Sequence, residues 1–140
     1  MDSCNDIRVT LKQVAVNAVI VTFNRKELLE RCIQAILNQT YSVKNIVIID
    51  NASTDGTDKL LKELDYLDNE KILYRRLSTN IGGAGGFHEG MKFAHSLRQD
   101  WCWIMDDDVI PATDCLEELV VVSKVVDKNM IKKVLKIGCQ

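Results

Sequence analysis

The chain has 140 residues, with 18 Lys plus Arg against 20 Asp plus Glu and a formal net charge of −2. That is one domain's length, and 46% hydrophobic content is enough for a real core. The near-neutral charge excludes a global basic field for nucleic acid, and no apolar run approaches the length of a membrane span. Asp2, Asn5, Asp6 and Arg8 interrupt any signal-peptide pattern. The cysteines, Cys4, Cys32, Cys102, Cys115 and Cys139, are scattered and odd in number. They form no CxxC pair, suggest neither a zinc site nor a disulfide framework, and fit a reducing cytoplasm.

Residues 1–12 are polar and read as a lead-in. Val14 to Phe23 is β-branched and apolar nearly throughout, the mark of a strand buried on both faces. Asn24 with Glu27 three later resembles a capping box. The helix it opens runs to about Asn38, with Leu28, Leu29, Cys32, Ile33, Ile36 and Leu37 on one face. A second strand spans Asn45 to Asp50, followed by the polar turn NASTDGT and a helix from Thr57 to Leu64. Lys71 to Leu77 reads as a more charged third strand, nearer an edge. The glycine-rich stretch STNIGGAGGF leads to a helix expected over Phe87 to Leu97. Trp101 to Met105 is a fourth strand that ends in Asp106, Asp107 and Asp108. Pro111 suits the first turn of a last helix reaching about Val126. The alternation predicts an α/β fold with a doubly wound, mainly parallel sheet over residues 13–126.

In such sheets ligands sit beyond the carboxyl ends of the strands, where every unusual polar stretch of this chain falls. Alternation along an extended chain would point Asp106 and Asp108 one way and Asp107 the other. An Asp-x-Asp pair after a buried strand suits a divalent cation bridging two phosphates; a solvated turn is the plainer alternative. Asp50 could accept from a base or ribose, or could brace its own turn through Ser53, Thr54 and Gly56. The glycines permit close backbone approach, and an amide-rich helix start favours an anionic or hydroxyl-rich ligand. They follow neither the Walker nor the Rossmann spacing. Arg25 could reach a phosphate or simply dress the first helix. His88 and His95 lack metal-ligand spacing and read as structural.

VIVTFNR, IDNASTDGT, NIGGAGGF and WIMDDDVIP, in that order, resemble the family-2 glycosyltransferases of GT-A fold, a Rossmann-like nucleotide-binding architecture. The doubled glycines and triple aspartate are most similar to the galactofuranosyl- and rhamnosyltransferase-like branch. The match covers about Val16 to Leu119. The resemblance implies an inverting, metal-dependent transferase that moves a sugar from a UDP- or dTDP-sugar to a glycan or lipid-linked acceptor in cell-surface polysaccharide synthesis. It implies nucleotide contacts at Thr22, Asn24, Arg25, Asp50, Asn51, Asn80, Gly82, Gly83 and Asp106. It also implies Mn²⁺ or Mg²⁺ on Asp106 and Asp108.

Inverting transfer needs a general base, which this family supplies well after the Asp-x-Asp segment. Residues 109–140 offer no such motif, so no catalytic residue is identified and the base is expected downstream. The alternative reading is therefore a non-catalytic nucleotide-sugar-binding fragment lacking the acceptor domain, apparently truncated after the aspartates. The tail, residues 127–140, carries Met130, Ile131, Val134 and Leu135 at helical spacing among Lys128, Lys132, Lys133 and Lys136. It could cover the sheet, bind a partner or lie on a membrane surface. The expected location is cytoplasmic, or peripheral at the inner face of the membrane, and self-association stays open.

Overall fold

The computed structural model describes residues 13–125; the lead-in and the lysine-bearing tail fall outside them. Four strands, β1 (Val16–Thr22), β2 (Asn45–Asp50), β3 (Ile72–Arg76) and β4 (Trp101–Asp106), form one sheet in the order β3-β2-β1-β4, all parallel. Helices α1 (Lys26–Leu37), α2 (Thr57–Glu63), α3 (Gly82–Ser96) and α4 (Cys115–Val125) join or follow them. A 3₁₀ turn at Tyr66–Asp68 precedes β3. The expected α/β fold with a doubly wound parallel sheet is what forms.

Strand β1 is buried at every residue, as its unbroken apolar run requires. Its alternate side chains divide between two layers. Val16, Ala18 and Ile20 pack with Leu29, Cys32, Ile33 and Ile36 of α1, Leu61 of α2, and Leu116 and Val120 of α4. Val19 and Val21 face Ala94, Phe87 and Phe93 of α3 together with Val47 and Ile49. Helix α3 can lie close because Gly86, Gly90 and Ala94 recur every four residues on its buried face. A Cβ at Gly90 would stand 2.4 Å from Val19 Cγ1, and one at Gly86 2.7 Å from Val21 Cγ1.

Three boundaries differ from the sequence reading. Helix α3 begins at Gly82 rather than near Phe87, so the glycine-rich stretch is its first turn and more. The weak intrinsic propensity of glycine is overridden by packing on the sheet. Helix α4 begins at Cys115, leaving Pro111 buried in the preceding loop. Asn24 is not the N-cap of α1. That position is Arg25, without a side-chain cap. Asn24 adopts φ 51°, and its carboxamide oxygen accepts from Thr54 N at 2.7 Å, so it ties two loops together instead. Leu28 also leaves the expected apolar face of α1 and is exposed.

Candidate nucleotide and metal site

The chain runs β1 to β2 to β3 in one direction and then places β4 on the far side of β1. The switch point therefore lies between β1 and β4, where Thr22 and the aspartates end their strands. Thr22 is paired with Asp50, Asp50 with Arg76, and Val21 with Asp106. Register alone thus brings three of the proposed site stretches to one edge of the sheet.

The three aspartates take different environments. Asp106 and Asp108 are exposed, whereas Asp107 is 4% exposed. Asp107 Oδ2 accepts from Thr22 Oγ1 at 2.8 Å. Its Oδ1 lies 3.4 Å from Arg25 Nη1, which is also 3.7 Å from Asp108 Oδ2. Arg25 thus does more than dress the first helix. Burial raises the Asp107 pKa above the usual carboxylate value, and the neighbouring Asp108 and Asp106 add to this, against the Thr22 hydrogen bond and Arg25. Beneath the cluster, Cys32 Sγ lies 3.8 Å from the Asp106 carbonyl. Burial, then the charges of Asp107, Asp108 and Asp106, push the Cys32 thiol up to about 12.

Asp50 is fully buried. Its Oδ1 accepts from Ser53 N at 2.9 Å and its Oδ2 from Tyr74 Oη at 2.5 Å. The turn-bracing role weighed from the sequence is therefore present, with Tyr74 as a partner that the sequence reading missed. Burial, and then the hydrogen bond to Asp50, raise the Tyr74 phenol above its ordinary value, which keeps it a donor. Ala52 takes φ 63° to complete this turn, a conformation that non-glycine residues adopt at a cost. Asn51, 3% exposed, donates from Nδ2 to Gly82 O at 3.1 Å and accepts from Ile81 N at 3.3 Å. It clamps the start of α3 to the end of β2. Asn80 Oδ1 accepts from Gly82 N at 2.8 Å. A Cβ at Gly82 or Gly83 would meet nothing within 4 Å, so that first turn is open on its outer side. Gly82 itself needs φ 80°, which favours glycine.

Two further side chains hold these loops, and neither was singled out from the sequence. Asp55 Oδ2 accepts from Lys26 N, opening α1, while Oδ1 accepts from Thr57 N and Oγ1, opening α2. Gln39 is buried and donates to Ala35 O and Ala112 O, and its Oε1 accepts from Leu116 N. It caps α4 from the far end of α1 and fixes the loop that follows the aspartates. His88 and His95 are exposed on α3, not buried as structural histidines would be.

The site therefore divides into supports and open groups. Thr22, Asn24, Asp50 and Asn51 are engaged within the fold. Asp106, Asp108, Asn80, Gly82 and Gly83 are exposed, as is half of the Arg25 side chain. Among the described residues no three His, Cys, Asp or Glu side chains are grouped as a complete cage for a metal. The donor chemistry still fits Mg²⁺ or Mn²⁺, which bind through one or two carboxylates and complete their shell with water and phosphate oxygens. Asp106 and Asp108 would be those carboxylates.

A parallel, doubly wound sheet with carboxylates at its switch point and an open glycine turn beside them defines a Rossmann-like α/β domain. The profile of glycosyl transferase family 2 matches residues 18–124, and the chain belongs to that family. It is 37% identical over 95 residues to the galactofuranosyltransferase GlfT1 of Mycolicibacterium smegmatis, covering 68% of this chain and 30% of that protein. It is 39% identical over 99 residues to the abequosyltransferase RfbV of Salmonella typhimurium, covering 69% and 29%. The chain thus spans less than a third of the length of these curated relatives. Its fold superposes on a Pyrobaculum calidifontis mannosyltransferase solved with GDP-Man and Mn²⁺, with a TM-score of 0.68 and 24% identity, over 78% of this chain and 32% of that one. TarS of S. aureus in complex with UDP gives 0.67 at 18% identity, over 79% and 32%. These likenesses establish the GT-A fold. No described helix is long and apolar enough to cross a membrane.

Proposed function

We propose that this domain binds the nucleoside diphosphate of a sugar donor at the β1/β4 switch point, with Mn²⁺ or Mg²⁺ held by Asp106 and Asp108. The observation that carries the reading is the convergence of Thr22, Asp50 and Asp106 on adjacent strand ends, beside the open helix start at Gly82 and Gly83. A bound divalent cation would supply Lewis-acid neutralisation of the leaving diphosphate. The chain's own residues do the rest. Asn51 and Asn80 fix the glycine turn by accepting from Ile81 N and Gly82 N, with Gly82 and Gly83 open on the outer side where an anionic or hydroxyl-rich ligand would lie. Asp50, braced by Ser53 and Tyr74, fixes the loop that would meet base and ribose.

The activity that follows is inverting transfer from a UDP- or dTDP-sugar to a glycan or lipid-linked acceptor in cell-surface polysaccharide synthesis, at the cytoplasmic side of a membrane. The alternative is a domain that holds the donor without turning it over, since no group in residues 13–125 is placed as a general base by this reading. Calorimetry with UDP, dTDP and GDP, each with and without Mn²⁺, tests binding. Micromolar, metal-dependent binding that Asp106→Ala and Asp108→Ala abolish is expected. Binding that ignores both the metal and these substitutions would refute the site. Donor hydrolysis or transfer by the same chain separates enzyme from binding module. Sedimentation and vesicle flotation test self-association and membrane attachment.

A further inference from the structure

The Arg25 guanidinium lies between two carboxylates in unlike surroundings. Asp107, with a side chain 5% exposed, is held from two sides by Thr22 and Arg25. Asp108 is 53% exposed, as is Arg25, and their 3.7 Å contact sits at the rim in water. A buried carboxylate with a fixed partner keeps its counter-ion, whereas an exposed pair is weak and readily exchanged. We propose that Arg25 is the resident counter-ion of the acidic segment: tethered by Asp107, it competes with a divalent cation for Asp108. Resting on the reading of Asp106 and Asp108 as metal ligands, this assigns Arg25 a further task, that of making metal and diphosphate binding mutually dependent. A cation arriving alone must displace a guanidinium from Asp108 and leave it with one partner fewer. A cation arriving with a diphosphate brings the anionic charge that re-pairs Arg25 at the rim. Arg25 is in this sense a positioning residue for the metal, and its effect on the cation alone is opposite in sign to that of a ligand.

The test is a titration of Mn²⁺ alone, followed by paramagnetic resonance of the free ion, and then of Mn²⁺ with UDP, on wild type, Arg25→Gln, Arg25→Lys and Asp108→Ala. Arg25→Gln is expected to bind Mn²⁺ alone roughly three- to tenfold more tightly than wild type, the scale of one partly exposed charge at this distance. The factor by which UDP tightens Mn²⁺ binding should shrink by a similar amount. Arg25→Lys keeps the charge and should stay near wild type, which separates the charge from any packing role. The inference is overturned if Arg25→Gln binds Mn²⁺ alone no more tightly than wild type while wild type shows Asp108-dependent Mn²⁺–UDP binding. Wild type that shows no metal-dependent UDP binding overturns the site reading itself, and this inference with it. Thermal melts of each variant establish that the titrated protein is folded.

Discussion

Gly90→Ala should destabilise the fold although it improves the local helix propensity. The added Cβ would stand 2.4 Å from Val19 Cγ1 and 3.2 Å from Ile49 Cγ1. Ordinary carbon contacts lie at about 3.5–4.0 Å, so more than an ångström of overlap must be relieved. Val19 and Ile49 are fully buried on the two central strands, and a β-branched side chain in such a place has few rotamers to escape into. Helix α3 would therefore lift from the sheet. Overpacking of this kind costs about 1–3 kcal/mol, while replacing glycine by alanine inside a helix returns about 1 kcal/mol. With the clash at the upper end, the net loss is about 2 kcal/mol. Urea denaturation followed by circular dichroism should show a lower midpoint with an unchanged slope. The diagnostic step is the double variant with Val19→Ala, which deletes the colliding methyl. The two substitutions should be non-additive by about 1 kcal/mol or more in the rescuing direction. Additive losses, or a Gly90→Ala variant as stable as wild type, would show that close helix–sheet approach is not why glycine stands there. Gly83→Ala, where a Cβ meets nothing within 4 Å, is the matched control and should leave stability unchanged or slightly raised.

Asp55→Ala should cost about 1–2 kcal/mol, because one carboxylate caps two helices. Burial pulls the Asp55 pKa up, but the hydrogen bonds from Thr57, Lys26 and its own backbone bring it below the ordinary value. Its contribution is therefore full above the unfolded carboxylate pKa and lost as pH falls through the folded one, so wild type and variant should converge in strong acid. Asp107 has the opposite sign. Its folded pKa is raised, so its ionisation weakens the fold as pH rises from the ordinary carboxylate value through the folded one. Asp107→Asn should thus gain on wild type at neutral pH and lose that advantage on acidification, as read from urea midpoints across the acid range. Cys32, with its thiol pushed up to about 12 and buried in the core, should resist alkylation at pH 8 until the protein is unfolded.

Periodicity made the sheet legible. A run such as Val14 to Phe23 has only one stable home, between two layers of helices, and alternating apolar runs and helical faces then force parallel strands. What periodicity could not show was where α3 and α4 begin and what caps α1. The Asn24–Glu27 spacing is that of a cap, yet Asp55 supplies the bond to the Lys26 amide from 29 residues away in sequence. The glycine stretch looked like a loop because its propensity is poor, but the Gly86, Gly90 and Ala94 spacing on one face was the overlooked sign of a close-packed helix. Gln39 gave no sign at all. A lone glutamine at a helix end looks like solvent-exposed polarity until the chain returns at Ala112 and Leu116. Such long-range caps belong to tertiary structure, and no local pattern encodes them.

The same long-range bonds decide how substitutions at this edge should sort. Thr22, Asp50 and Asn51 spend their polar atoms within the fold, Thr22 on Asp107, Asp50 on the Ser53 amide and Tyr74 of β3, and Asn51 on the start of α3. Removing one leaves a buried partner unsatisfied, a loss of about 1–3 kcal/mol. Asp50→Ala should therefore lower the melting temperature and weaken any nucleotide binding together, because Tyr74 and the Ser53 amide lose their acceptor. Asp106 is exposed at the strand end, and an exposed carboxylate contributes little to stability. Asp106→Asn should leave the melting temperature within a degree or two of wild type and lower only the metal-dependent part of UDP affinity. Melting curves and calorimetry on the same two variants check this. If Asp106→Asn unfolds as readily as Asp50→Ala, or Asp50→Ala loses binding at full stability, the division into interior supports and open ligands is wrong. In that case Asp50 is itself a contact that the fold only shelters.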